Sequence, residues 1–193
     1  LAGGAHDAAI EVLQTWRNAS LESLFGQLGQ RLPDTARDMD KQVDVVSESN
    51  ALHLPNPGLL PLVRSLAHVV RNAVVHGIET CAERVASGKP EVGRITLRAR
   101  RTATELVIEI EDDGAGIDTE RVLAKAASLG VPADTLLAAL CASGVTTYGD
   151  ADDLAGRGVG LDAVRAEVEA ASGTLELQTE RGTGTRWTVT VPA

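Results

Sequence analysis

The most constraining stretch of this sequence is ELVIEIEDDGAGID, Glu105 to Asp118. Leu106, Ile108 and Ile110 alternate with Val107, Glu109 and Glu111, the two-residue period of a strand with one buried face. The alternation stops at Asp112, Asp113, Gly114, Ala115 and Gly116, which put carboxylates and glycines at the strand's end. A carboxylate there can accept hydrogen bonds from a ligand, and glycine lets the ligand approach bare backbone. The same residues also suit an ordinary type I or II turn. What separates the two readings is the rest of the chain.

Apolar residues at Ile10, Leu13, Leu21, Leu24, Phe25 and Leu28 fall at helical spacing between about His6 and Leu32. Ser20 is placed to cap the second of two helices there, and Pro33 is read as their end. Val43, Val45 and Val46 predict a short strand over Lys41 to Ser47, and Pro55, Pro57 and Pro61 mark a loop. Leu62 then opens a long helix with Leu62, Leu66, Val69, Val70 and Ala73 as its core stripe. His68, Asn72 and His76 recur every four residues, so the spacing predicts that they share another line of that helix, ending at Gly77. Such a row can offer nitrogen and oxygen to a cation and to phosphate oxygens.

Glu79 to Glu91 reads as a charged connector. In Arg94 to Arg100, Ile95, Leu97 and Ala99 alternate with Arg94, Thr96, Arg98 and Arg100, predicting a hairpin with the opening strand through a turn at Thr102 to Thr104. Its outward arginines then face Glu109 and Glu111 as a solvated, paired surface. A helix over Glu120 to Leu129 carries Arg121 and Lys125 four residues apart. A Leu/Ala-rich helical segment follows, and SGVTTYGDADDLA is read as a mobile flap. Gly156, Gly158 and Gly160 open a helix striped by Leu161, Val164, Val168 and Ala171, which aims unpaired NH groups at an anion. The chain ends in a second hairpin, Thr174 to Glu180 and Thr185 to Val191, with Trp187, Val189 and Val191 on one face.

A length of 193 residues suits one large domain, and a net charge of -9 argues against a nucleic-acid-binding surface. Cys81 and Cys141 lack metal spacing and are expected to be reduced thiols of a cytoplasmic protein. No apolar run approaches the roughly 18 residues of a membrane span. The sequence begins at Leu1, and the expectation is that it is a piece of a longer protein.

Taken in order, the helix with His68, Asn72 and His76, then DDGAGID, GRGVGLD and GTGT resemble the N, G1, G2 and G3 boxes of the GHKL ATPases. That superfamily groups gyrase, the heat-shock chaperone, histidine kinases and MutL. Within it, HVVRNAVVHGIE, ERVASGKPEVG, EDDGAGID and GRGVGLDAV are most similar to the ATP-binding domain of CheA-like chemotaxis histidine kinases. The resemblance runs from about Leu21 to the C-terminus. It implies an α/β (α+β) two-layer sandwich of the Bergerat type, a mixed β-sheet with helices on one face and an ATP lid. Residues 1–35 would be an N-terminal helical or linker segment and 36–193 the catalytic domain.

The same resemblance implies ATP and Mg2+ as cofactors. Asp112 would accept the adenine amino group, with Gly114 and Gly116 letting the base lie on backbone. Asn72 would reach the magnesium ion. His76, Arg121 and Lys125 would neutralise the triphosphate, Gly156, Gly158 and Gly160 would donate NH groups to it, and Thr185 would wall the adenine end. His68 stands where hydrolysing relatives carry glutamate and is implied as the general base. The reaction implied is transfer of the γ-phosphoryl group to a histidine of a separate phosphotransfer domain, with a response regulator downstream and a homodimer formed through segments outside this sequence. His6 and His53 do not look like acceptors. Val75, Val145 and Ala155 depart from the family pattern, which keeps open a degenerate nucleotide-binding or scaffolding module. An ATP-hydrolysing machine ranks third.

Overall fold

The two hairpins read from the sequence form, and they join edge to edge in a single sheet. In the computed structural model, which describes residues 20–50, 52–142 and 160–193, the strands are β1 (Val43–Glu48), β2 (Gly93–Arg101), β3 (Glu105–Asp112), β4 (Thr174–Glu180) and β5 (Gly184–Pro192). Their order is β1-β2-β3-β5-β4, with β1 and β2 parallel and every other pair antiparallel. Register places Ile110 opposite Trp187 and Leu97, and Ile108 opposite Val189 and Ala99. The apolar half of each alternating strand therefore lies on one face.

That face is covered by α1 (Leu21–Gly29), α3 (Leu60–Asn72) and α7 (Leu161–Ala170), whose Phe25, Leu66, Val70, Val164 and Val168 belong to one buried cluster with Ile95, Leu97, Ile108 and Trp187. The parallel β1–β2 pair requires a crossover, and α3 supplies it together with the short α4 (Cys81–Ala86). The layering is the two-layer α/β arrangement expected, a mixed sheet with helices on one face. A smaller cluster joins α5 (Thr119–Ser128) to α6 (Leu136–Leu140) through Val122, Ala126 and Ala139.

The opposite face is polar and paired, as the alternation requires. Arg98 bonds Glu48 and Glu111, Arg186 bonds Glu111, and Arg100 reaches diagonally to within 3.8 Å of Glu109. In these solvent-exposed pairs each contact is worth at most about 1 kcal/mol. Thr96 and Val107, also on this side, are nonetheless buried. They sit directly opposite Glu111 and Arg100, and long charged side chains cover neighbouring surface with their stems.

Three local expectations meet the structure differently. Ser20 does cap α1, accepting the Ser23 amide at 3.2 Å. Pro33 ends no helix: it lies in the first turn of α2 (Leu32–Arg37), where its missing N–H has no partner to lose. The helix of Leu62 starts at Leu60 and yields after Asn72 to a π turn, Ala73–Gly77. The helix expected before Ser20 and the whole SGVTTYGDADDLA flap, with Val145 and Ala155, lie outside the described residues, as do Gly156 and Gly158. Cys81 and Cys141 are unpaired, and among the described residues no helix is long and apolar enough to cross a membrane.

Candidate functional site

The site begins where α3 loosens. In the π turn Ile78 N donates to Ala73 O at 2.7 Å, so the chain takes one extra residue to close. The carbonyls of Val74 and Val75 are bonded instead by Lys41 Nζ, at 3.0 and 2.7 Å. Burial holds the Lys41 ammonium below the ordinary lysine value, against the pull of Glu83 and Glu79. His68 and Asn72 lie within the regular part of α3, and the π turn follows Asn72. Asn72 and His76 face the cleft described below, while half-buried His68, one turn earlier, is not among its walls.

Lys41→Met should therefore leave two carbonyls without their donor. We expect a loss of about 1–3 kcal/mol, read as a lower thermal midpoint, with Lys41→Arg recovering most of it. An unchanged midpoint for the methionine variant would show that the π turn holds without this lysine.

Gly77, the last residue of the π turn, receives the loop that ends β3. Ala115 N donates to Gly77 O at 2.8 Å, and a Cβ on Gly114 would stand 2.1 Å from that same oxygen. On its other side the loop meets the β4–β5 turn. Gly182 N donates to Ala115 O at 2.8 Å, and a Cβ on Gly116, whose φ is +70°, would stand 2.3 Å from Glu180 O. Thr179 Oγ1 accepts from Ile117 N at 2.8 Å and lies 3.2 Å from Thr185 Oγ1. Glycines at 114 and 116 are thus required by two close backbone approaches, not by turn geometry alone.

Asp112 sits at the centre, only 5% exposed. Its Oδ1 accepts the Gly114 amide at 3.0 Å. Burial pushes its carboxyl up to about 6, Asp113 and Glu79 push the same way, and the Gly114 and Thr185 amides oppose them. A buried carboxylate with spare acceptor capacity, its charge disfavoured until a donor arrives, is suited to reading a polar ligand edge.

Asp112 opens onto a cleft of about 530 Å³, counting its solvent-open space. Asn72, His76 and Gly77 form one side, Thr185 and Trp187 the sheet side, and Gly116, Ile117, Val122, Leu140 and Leu161 the rest. Mostly apolar walls with a few convergent polar groups suit a flat, partly polar ligand. Of the residues singled out in the sequence, Asn72, His76, Asp112, Gly116 and Thr185 come together here. Gly114 packs behind, against Gly77. Arg121 and Lys125 stand on α5 beside Val122 but are not among the walls. Gly160 precedes α7, its amide on Asp162 Oδ1 at 2.9 Å, and the next residue, Leu161, lines the cleft. Among the described residues no three His, Cys, Asp or Glu side chains converge as a metal cluster.

Sequence reading missed the support behind the loop. The connector Glu79 to Glu91 is built: Thr80 and Glu83 form a reciprocal cap on α4, and Arg84 is fully buried. Arg84 and Lys89 bond Glu79 and Asp113. The Thr80–Glu83 spacing was legible as a capping box. The partnership of Arg84 with Asp113, 29 residues away, was not.

Known proteins resemble this chain in sequence and in fold. The family profile of histidine kinase-, DNA gyrase B-, and HSP90-like ATPases matches residues 62–193. Chemotaxis protein CheA of Halobacterium salinarum is 34% identical over 191 residues, covering 94% of this chain and 29% of that protein. CheA of Treponema pallidum is 35% identical over 183 residues, covering 91% of this chain and 22% of that protein. The chain spans less than a third of the length of either relative. The catalytic domain of histidine kinase ThkA shares the fold, with a TM-score of 0.56 at 16% identity over 90% of this chain and 94% of that one. With the family profile covering both the π turn and the Asp112 loop, the chain belongs to the family of histidine kinase-, DNA gyrase B-, and HSP90-like ATPases.

Proposed function

We propose that this chain is the ATP-binding catalytic domain of a cytoplasmic, CheA-like histidine kinase, transferring the γ-phosphoryl group to a histidine of a separate phosphotransfer domain. The observation that carries the reading is Asp112, a buried carboxylate at the floor of a mostly apolar cleft that Gly116 and Thr185 also line. Adenine fits: its amino group donates to Asp112, and its ring lies between Gly116 and the Thr185 side. Residues 36–193 form the catalytic unit in this reading, and from the segment before it Leu21, Leu24, Phe25 and Leu32 pack into the same core.

Asn72 and His76 line the same cleft as Asp112 and are assigned to the triphosphate in this reading. Asn72 supplies one amide oxygen, which suits a magnesium ion that brings phosphate oxygens and water as its other ligands. When bound, that ion would neutralise charge building on the phosphate oxygens. His76, with Arg121 and Lys125 of α5, supplies further positive charge, and the glycines at 156, 158 and 160 would supply backbone donors, the Gly160 amide by leaving Asp162 Oδ1. Transfer breaks the bond from the γ phosphorus to its bridging oxygen, which leaves with the electron pair on ADP, and forms a phosphorus–nitrogen bond. His68 accepts the proton the acceptor imidazole loses. Positioning and charge neutralisation do most of the work in such transfers. A response regulator would then take the phosphoryl group, and segments outside this chain would form a homodimer.

Calorimetric titration of ATP with and without magnesium tests the reading. We expect binding in the micromolar to millimolar range that magnesium strengthens. Asn72→Ala should abolish the magnesium enhancement, a loss of about 10-fold or more, while leaving magnesium-free binding nearly unchanged. Equal sensitivity to magnesium in that variant would remove Asn72 from the metal. Given ATP and a histidine-containing phosphotransfer domain, His68→Ala should bind ATP but fail to transfer. Binding without transfer by the parent chain itself would favour a scaffolding module, the reading to which Val75 points.

A further inference from the structure

We propose that Glu79, Arg84 and Lys89 are positioning residues for base recognition, holding the outer side of the Asp113–Gly114 backbone so that Asp112 is presented to the adenine. The inference rests on the reading of the cleft as an ATP site. A loop with glycines at 114 and 116 cannot fix its own peptide planes, because glycine allows too many of them. Something outside the loop has to hold them.

The two cations supply that hold. Lys89 Nζ donates to Asp113 O at 2.9 Å, to Gly114 O at 2.7 Å and to Glu79 Oε1 at 2.7 Å. Arg84 donates to Asp113 O at 3.2 Å and to Asp113 Oδ2 at 2.9 Å, and also to Glu79 Oε2 and Pro90 O at 3.0 and 2.7 Å. Glu79 thus bridges both cations, while the other oxygen of Asp113 accepts the Arg94 amide at 2.8 Å. With the carbonyls of 113 and 114 drawn outward, the amides of 114 and 115 turn inward. They meet Asp112 Oδ1 at 3.0 Å and Gly77 O at 2.8 Å. The Arg84 fork can set a plane in a way a single ammonium cannot, and its full burial keeps water from competing.

A staple that only stabilised the fold would have no reason to grip the two carbonyls that follow Asp112. The grip also has a specific consequence. Adenine offers an amino donor where guanine offers a carbonyl oxygen, so a correctly placed Asp112 carboxylate favours ATP and repels GTP. The ratio of ATP to GTP affinity therefore reports loop placement, whereas a smaller folded fraction weakens both nucleotides alike.

Lys89 is the better site to change, since its side chain is 18% exposed while that of Arg84 has no exposure. We expect Lys89→Met to weaken ATP about 10-fold while GTP changes less than about twofold, and Lys89→Arg to restore most of the ratio. Glu79→Gln, which keeps shape and removes the bridging charge, should move the ratio in the same direction and serves if the methionine variant melts below the assay temperature. Both nucleotides weakened by one factor, or a ratio equal to the parent's, overturns the positioning role while leaving the ATP site standing. A parent chain that binds neither nucleotide overturns the ATP reading and this inference together.

Discussion

Gly184→Ala is expected to destabilise the chain by about 3–5 kcal/mol, lowering its thermal midpoint by roughly 10 °C. Two effects add. At φ +134° the residue lies where side chains are strained, and a Cβ there would stand 2.0 Å from Asp112 O and 2.9 Å from its carbonyl carbon. The neighbour is backbone, in the ladder where Asp112 pairs with Thr185, so it cannot swing aside as a side chain would. Relief has to come from separating β5 from the end of β3, which also displaces the carboxylate. Gly182→Ala is the control: its φ is +82°, but nothing stands within 4 Å of its Cβ position. Only the conformational penalty applies there, about 1 kcal/mol. Equal losses for the two variants in denaturant unfolding would show that the contact with Asp112 is not what matters.

Asp112→Asn is expected to stabilise the nucleotide-free protein at pH 7.5 while weakening ATP about 100-fold. The native carboxyl, pushed up to about 6 chiefly by burial, titrates above its ordinary value of 3.8. Native Asp112 therefore prefers its proton. Its favourable contribution is complete below about pH 4 and is lost as pH rises through about 6, a swing of about 3 kcal/mol at most. The amide variant removes the ionised form, keeps an oxygen for the Gly114 amide, and should gain about 1–3 kcal/mol above pH 7. The parent's stability should fall relative to the variant between pH 4 and 6, giving diverging thermal midpoints. For ATP, the amide loses a charged acceptor worth about 1.5–3 kcal/mol and can turn a donor against the adenine amino group. An Asn variant less stable than the parent at pH 7.5, or one binding ATP with undiminished affinity, would contradict the assignment.

Both predictions act where distant segments touch, and the boundary of what could be read in advance follows that line. The strands of both hairpins were legible because side-chain alternation and the partner across a short turn are local. Ser20 as a cap, the α3 core stripe and the paired outer face were legible for the same reason. Asp112 and its glycines could be named as a site, since a strand that breaks into carboxylates and glycines is unusual for a core. The π turn after Asn72 was not legible, because its freed carbonyls are held by Lys41, more than 30 residues earlier in the chain.

The amino-acid order by itself determined the periods, the caps, the apolar face of each element and the chemical character of the loop, because these depend on backbone geometry and on contrast with water over a few residues. Only the tertiary structure decided that β5 lies between β3 and β4, that Gly77 and Gly184 press against the Asp112 loop, and that Arg84 and Lys89 face Asp113. The reason is physical. A buried charge or carbonyl must find a partner within about 3 Å. Which residue stands there is set by how the whole sheet and its helices pack, over separations that no local pattern records.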